Sequence, residues 1–331
     1  MNWDLLGHET AVDLLSGQIA RGTLHHAYLF TGPAGVGRRS LALRFAQAID
    51  CQAPPAPGEA CGSCRACRGM AAGEHPDLAV VEAETVGGTL KVEQVRELGR
   101  FLSLAPYETE RRIALLLRFE EAQRHAANAL LKTLEEPNDR VILMLTAEGP
   151  DRVPETILSR CRLVRLRPLP VRTFAARLAS EWGVPEEQAR VVAHLSGGRP
   201  GIARRLLDDP QALADQEQTL DAHLQLIPEN RRARFRFAET ASRDKAALRE
   251  TLEVWATYWR DVLIAAAGAG APLTNTGRER EVRAVAAQVT AETARQTLLS
   301  VERTRERIDR NANTRLALEA LLLVLPRLRV K

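Results

Sequence analysis

Between residues 1 and 168, short apolar runs alternate with helix-periodic stretches about five times, and this alternation restricts the fold more than any other feature. Ala27–Phe30, Asp77–Ala83, Arg112–Leu117, Val141–Ala147 and the run from Arg162 read as strands. Residues 10–22, LALRFAQAI, KVEQVRELGRFLSL before Pro106, EEAQRHAANALLKTLEE before Pro137, and PETILSRC read as helices. Such alternation predicts a parallel sheet covered by helices on both faces. From Pro170 the strands disappear. Residues 170–208 read as a small helical unit containing Ser196–Gly201, Pro210 marks a boundary, and residues 211–331 read as helices broken at Gly268–Pro272. The fold class is therefore α/β plus all-α. A chain of 331 residues is too long for one ordinary core, so two or three domains are expected. No stretch reaches the roughly 20 apolar residues that span a bilayer. The start, MNWDLLGHETAVDLL, lacks the basic and apolar regions of a secretory signal. A soluble cytoplasmic protein is expected.

The first strand runs into TGPAGVGRRS. A phosphate loop reads G-x-x-x-x-G-K-[ST] between a strand and a helix. Gly32 and Gly37 match, with Gly35 between them. Arg38 stands where the lysine belongs, and Arg39 where the Mg²⁺-binding hydroxyl belongs. The backbone of Gly32–Gly37 can still form an anion nest, and Arg38 can still pair with phosphate. Arg39 cannot ligate a cation, because guanidinium has no acceptor. Ser40 comes one residue late, about 100° round the helix. The third strand ends Leu116-Leu117-Arg118, where an active ATPase needs a carboxylate for Mg²⁺. Glu120 and Glu121 follow later. Two parts of the metal site are missing, so neither ATP nor Mg²⁺ is expected to be used by this chain. Only four residues are lysine (Lys91, Lys132, Lys245 and Lys331) against 42 arginines. Coding bias explains most of that skew, yet one consequence falls on position 38.

Cys51, Cys61, Cys64 and Cys67 lie within 17 residues on a Pro/Gly-rich excursion. Four thiolates with two neighbouring x2 spacings suit tetrahedral, structural Zn²⁺. Arg65 and Arg68 are placed to offset the thiolate charge. An iron–sulfur cluster is the rival, but those runs usually continue x3-C-P, and Cys67 is followed by Arg68-Gly69-Met70. His75 reads as a turn residue before Pro76, and Cys161 as a buried thiol.

GPAGVG, the four-cysteine loop, Ala126–Pro137 (AANALLKTLEEP), Thr156–Cys161 (TILSRC) and Asn311–Leu323 follow in an order that resembles the AAA+ subunits of bacterial clamp loaders. The resemblance covers the whole chain. It implies a RecA-like AAA+ domain at 1–168 with a zinc loop at 51–67, a small helical lid at 169–209 and a helical collar at 210–331. It also implies partners: tau/gamma and delta subunits in a ring of five, and through them the sliding clamp and primed DNA of the DNA polymerase III holoenzyme. The degenerate loop points to the family's non-hydrolysing member. The SRC arginine of the family maps onto Arg160, implying an arginine finger that acts in a neighbour's ATP site. The family's lid sensor arginine aligns with Pro200, with Arg199 adjacent, and Thr146 lies near the first sensor position.

Two other functions are compatible with these residues. One is an active tau/gamma-like ATPase using Arg38 in place of lysine. The other is a zinc-dependent nucleic-acid-binding module, which the net charge of +4 and the lack of aromatics in the cysteine loop disfavour. Several conspicuous residues have plain roles. His25-His26 is expected to pack or turn, and Trp255, Tyr258 and Trp259 to fill a core or interface. Glu302–Arg310 reads as a solvated helix face, and Lys132 as a DNA-phosphate contact or a helix-surface partner of Glu135 or Glu136.

Overall fold

The computed structural model describes residues 3–85 and 87–328, so Met1, Asn2, Val86, Arg329, Val330 and Lys331 lie outside the description. The chain divides into two compact units: Met1–Leu169 with Arg199–Gly201, and Pro170–Gly198 with Ile202–Lys331. Unit 1 holds β1 (Ala27–Thr31), β2 (Leu78–Val81), β3 (Arg112–Leu116), β4 (Val141–Ala147) and β5 (Arg162–Arg165). It also holds α1 (Glu9–Ala20), α2 (Arg38–Ile49), α3 (Arg65–Ala72), α4 (Val92–Ser103), α5 (Arg124–Glu135) and α6 (Glu155–Leu158). The strands form one sheet in the order β2-β3-β4-β1-β5, and every pairing in it is parallel. This is the RecA-like AAA+ sheet that the resemblance implies.

The core explains why the strands read as unbroken apolar runs. Side chains alternate across a strand. Tyr28 and Phe30 of β1 pack on one face with Leu15 of α1 and Leu41 and Phe45 of α2. Ala27 and Leu29 pack on the other with Leu98 of α4 and Leu130 of α5. Both faces are covered, so both sets of positions are apolar as far as Thr31 at the strand's end. The parallel order also brings the C-terminal ends of β1, β3 and β4 to one edge, where ligand crevices form in such sheets.

A buried carboxylate shapes the opposite edge. Asp77, just before β2, is fully buried and accepts hydrogen bonds from the N–H groups of Tyr107 (2.6 Å), Glu108 (2.7 Å) and Thr109 (3.0 Å). Burial alone would raise its pKa, but those three N–H groups lower it below the ordinary carboxylate value.

The helix predicted from Glu120 begins later. Arg118 has a left-handed φ of 49°, and Phe119–Glu121 forms a 3₁₀ turn. Leu90 N–H donates to Glu121 O (2.9 Å), and Gln123 N–H donates to Leu90 O (3.1 Å). This bridge uses backbone groups that an earlier α-helix would need.

Unit 2 holds α7 (Val171–Trp182), α8 (Glu186–Ser196), most of α9 (Pro200–Asp208), α10 (Pro210–Leu226), α11 (Arg231–Ala241), α12 (Lys245–Ala266), α13 (Glu279–Ala286), α14 (Ala291–Asp309) and α15 (Thr314–Val324). It contains both helical regions that the sequence separates at Pro210. Between them, His194 Nδ1 lies 2.7 Å from the Leu273 carbonyl. Trp255, Tyr258 and Trp259 of α12 are fully buried in its core. Asp261 fastens the break after α12 by accepting from the N–H groups of Thr274 (2.8 Å) and Asn275 (2.7 Å). The buried Arg234 donates to Ile227 O, Leu322 O and Leu325 O, tying α11 to the C-terminal ends of α10 and α15. In Glu302–Arg310, Thr304 and Ile308 are buried, so only part of that stretch is a solvated face.

His223 of α10 accepts at Nε2 from Trp259 Nε1 (2.9 Å) and packs on the Trp255 ring at 4.2 Å. Burial, with the Arg234 charge adding to it, lowers its pKa to about 3. It stays neutral when folded, whereas an unfolded histidine takes a proton below about pH 6.5. The stability of this unit is therefore expected to be fully present above that pH. It should fall by about 1.4 kcal/mol per pH unit on acidification towards the folded value. His223→Gln, which keeps an acceptor for Trp259, should flatten that slope in denaturant titrations at several pH values.

Candidate functional site

The glycine loop leaves β1 at the crowded end of the sheet. Gly35 (φ 76°) and Gly37 (φ 108°) take left-handed conformations, and Gly37 caps α2. A Cβ on Gly32 would lie 2.6 Å from the Leu166 carbonyl oxygen. The loop is held from below by His8, whose Nε2 lies 2.8 Å from Val36 O.

The chain's own residues 199–201 lie on the loop. Gly201 N–H donates to Gly35 O (2.8 Å), and Arg199 Nη1 donates to Ala34 O (3.4 Å). Arg199, beside the position aligned with the sensor arginine, thus bonds a loop carbonyl.

Arg38, at the lysine position, is half-buried, while Arg39 and Ser40 are exposed. Burial lowers the Arg38 pKa, the carboxylates of Glu120 and Glu148 oppose that fall, and Arg118 adds to it. Glu120 is raised, first by burial, with Arg38 opposing. Arg38 Nη1 and Glu120 Oε2 are buried without hydrogen-bond partners among the described residues.

The end of β3 is also cationic. Arg118 donates from Nη1 to Glu82 Oε2 (2.9 Å) and from Nε to Glu121 Oε2 (3.0 Å). Its N–H donates to Thr146 Oγ1 (2.9 Å), so the hydroxyl near the sensor position helps to hold this turn. The nearby carboxylates are neutralised by guanidinium groups, which offer no lone pair to a cation. Sequence reading flagged Arg118 as a misplaced cation but missed Glu82, which reaches it from β2's end. Nothing in the local pattern links those positions.

The cysteine site is assembled from separate pieces. Cys51 follows the end of α2, Cys61 and Cys64 lie on the excursion, and Cys67 is in the first turn of α3. Their four Sγ atoms lie within 4.8 Å of one another, with Cys61 and Cys67 Sγ 3.9 Å apart. Sulfurs on a tetrahedral Zn²⁺ with bonds of about 2.3 Å stand about 3.8 Å apart, so the donor set fits such an ion. Backbone N–H groups donate to three sulfurs: Cys61 N to Cys51 (3.2 Å), Cys64 N to Cys61 (3.3 Å) and Cys67 N to Cys64 (3.4 Å). The N–H groups of Cys64 and Ser63 bring the Cys61 thiol down to about 6. Burial pushes Cys51 and Cys67 up.

Second contacts anchor the excursion. Gln47 Nε2 donates to Cys67 O (2.7 Å), and Trp3 Nε1 donates to Gly58 O (3.1 Å). Arg65 pairs with Glu108 (2.8 Å), and Arg68 donates to Ser63 O (2.7 Å). His75 is buried and its Nδ1 accepts from Asp77 N–H (3.1 Å), a turn role. Cys161 is half-buried, with burial pushing its thiol up to about 12.

Arg160 follows α6, away from these cysteines in sequence. Its Nη1 donates to Thr156 O (2.9 Å), and its Nη2 lies 2.8 Å from Glu135 Oε1 at the end of α5. His25 and His26 stack on each other at 4.3 Å beside the start of β1.

Two family models match the chain. One, described as DNA polymerase III, delta subunit, matches residues 7–170, and its C-terminal counterpart matches residues 211–326. A DNA polymerase III subunit delta-prime from Pseudomonas aeruginosa is 43% identical over 55% of this chain and 55% of its own length. The Bacillus subtilis subunit of that name is 28% identical over 94% of both chains. The chain belongs to the DNA polymerase III delta-prime clamp-loader family. It is also similar to a tau/gamma subunit from Haemophilus influenzae, at 32% identity over 65% of this chain and 32% of that protein. The Pseudomonas alignment spans about half of its relative, while the Bacillus one is nearly end to end.

The contact of residues 199–201 with the glycine loop is testable. A Cβ at Gly201 would lie 2.9 Å from the Gly35 carbonyl oxygen. Gly201→Ala should therefore destabilise unit 1 by about 1–3 kcal/mol, as crowding a packed contact usually does. Denaturant unfolding of the full chain, with hydrogen exchange at residues 32–37, checks this.

Proposed function

We propose that this chain is the non-hydrolysing scaffold subunit of a DNA polymerase III clamp loader and that Arg160 serves a neighbouring subunit's ATP site. One observation carries the reading. Arginines stand where an ATPase needs Mg²⁺ ligands, Arg39 in the loop and Arg118 beyond β3. Arg160, in the SRC motif, keeps more than a third of its side chain exposed. The residues serving an internal reaction have changed, while the one suited to another subunit's reaction is presented.

In this reading the chain joins tau/gamma and delta subunits in a ring of five that places the sliding clamp on primed DNA during replication in the cytoplasm. Residues 169–209 act as the lid and residues 210–331 as the collar that holds the ring. The guanidinium of Arg160 stands beside the neighbour's γ-phosphate and offsets charge that develops during phosphoryl transfer. In this reading the chain's own residues position neither Mg²⁺ nor an attacking water, because Arg39 and Arg118 stand where Mg²⁺ ligands would. Cys51, Cys61, Cys64 and Cys67 would hold a structural Zn²⁺, which when bound cross-links the end of α2 to the start of α3. The four thiols and the three N–H···S bonds support that assignment.

Purified chain alone should show no Mg²⁺-dependent ATP turnover, and measurable turnover would refute the scaffold reading. Arg160→Ala should leave the fold intact and lower turnover at one site of the reconstituted loader by about 10³-fold. Total turnover should fall less, because other sites remain, and unchanged turnover and clamp loading would remove the finger assignment. Cys64→Ser should abolish bound zinc, measured by elemental analysis, and loosen residues 52–73 to hydrogen exchange while sparing unit 2. Iron in place of zinc in the wild-type protein would overturn the metal identity.

A further inference from the structure

Arg160 is held in a particular orientation. Its Nη2 lies 2.8 Å from Glu135 Oε1, and its Nη1 donates to Thr156 O (2.9 Å) and, more weakly, to Ser159 Oγ (3.4 Å). The last two partners belong to its own turn. Glu135 differs because it is the final residue of α5, a helix fixed to the sheet through Leu130 and Leu134. The carboxylate therefore refers the guanidinium to the rigid body of unit 1.

Nothing in the sequence required this pairing. Glu135 sits three residues after Lys132, an ordinary helix-surface spacing for an ion pair. In the fold its carboxylate goes to Arg160 instead. The pair is half-exposed, with 36% of the Arg160 and 50% of the Glu135 side chain accessible. An exposed pair of this kind contributes little to stability. Its value lies in orientation. An arginine side chain has many rotamers, and phosphoryl transfer responds steeply to where the charge stands. A guanidinium has five N–H donors, so those not used on Glu135, Thr156 and Ser159 stay available for phosphate oxygens.

We propose that Glu135 is the positioning residue for Arg160: its carboxylate holds the guanidinium in the orientation from which it reaches a neighbouring subunit's phosphates. This rests on the finger reading above. Glu135 does not itself meet the phosphate, since two anions side by side repel. It acts only through Arg160.

The test uses the reconstituted loader carrying the wild-type chain, Arg160→Ala, Glu135→Gln, Glu135→Asp, or Arg160→Ala with Glu135→Gln. The quantity read is Arg160-dependent ATP turnover, the difference between wild type and Arg160→Ala. Glu135→Gln should lower that component between about ten- and 10²-fold in kcat, with KM for ATP unchanged. Glu135→Asp should recover part of the loss, because the charge is kept. The double variant should match Arg160→Ala. Melting of each full-length variant should stay within a few degrees of wild type. Wild-type turnover with Glu135→Gln overturns the proposal. So does a further loss when Glu135→Gln is added to Arg160→Ala, which would mark a role unrelated to the finger. If Arg160→Ala leaves turnover unchanged, the finger reading fails and this proposal falls with it. If Arg160→Ala lowers turnover and Glu135→Gln does not, only the role of Glu135 is lost.

Discussion

A parallel sheet buried on both faces sets the terms for everything else in unit 1. Its central strands must be buried along their whole length and apolar along most of it, as β1 and β4 are, with Thr31 and Thr146 their polar members near the C-terminal ends. Polar groups are then confined to the strand ends and loops. Because the strands run in one direction, the ends of β1, β3 and β4 meet at a single edge, and any chemistry must be assembled there. The loop from Gly32 to Gly37, Arg118 and the Thr146 hydroxyl share that edge for this reason.

What occupies the edge follows from the properties of the guanidinium. It is a permanent cation with donors only. Arg38 and Arg118 bring positive charge to the region where a related ATPase would need ligands for one. Glu82 and Glu121 are engaged by Arg118, and Glu120 and Glu148 support the charge of Arg38. The same chemistry serves other ends elsewhere. Buried Arg234 satisfies carbonyls at the ends of two helices, and half-exposed Arg160 pairs with Glu135. Burial and partners, rather than residue type, separate the buried Arg234 from the half-exposed Arg160.

The cysteine site is linked to the buried Asp77 by a chain of contacts. Arg65, at the start of α3, pairs with Glu108. The N–H of Glu108 is held by Asp77, and His75 closes the turn between them. The cysteine loop and the turn before β3 are therefore joined through Glu108.

Local pattern determined a good deal. Apolar runs, helical periodicity and the Gly32–Gly37 spacing are properties of neighbouring residues, so the strands, most helices and the degenerate loop could be read directly. The four cysteines were legible because Cys61, Cys64 and Cys67 are close in sequence and thiolates have few uses in such an arrangement. The start of α5 was not, because Leu90 takes the backbone groups of Glu121 and Gln123 from a distant position. The same holds for Glu82 with Arg118, Gly201 with Gly35, and Glu135 with Arg160. In a chain with 42 arginines and as many carboxylates, charge pattern cannot say which partners meet. Those pairings were decided by the tertiary structure, because ion pairs and backbone contacts between distant segments depend on how the sheet and its helices bring them together.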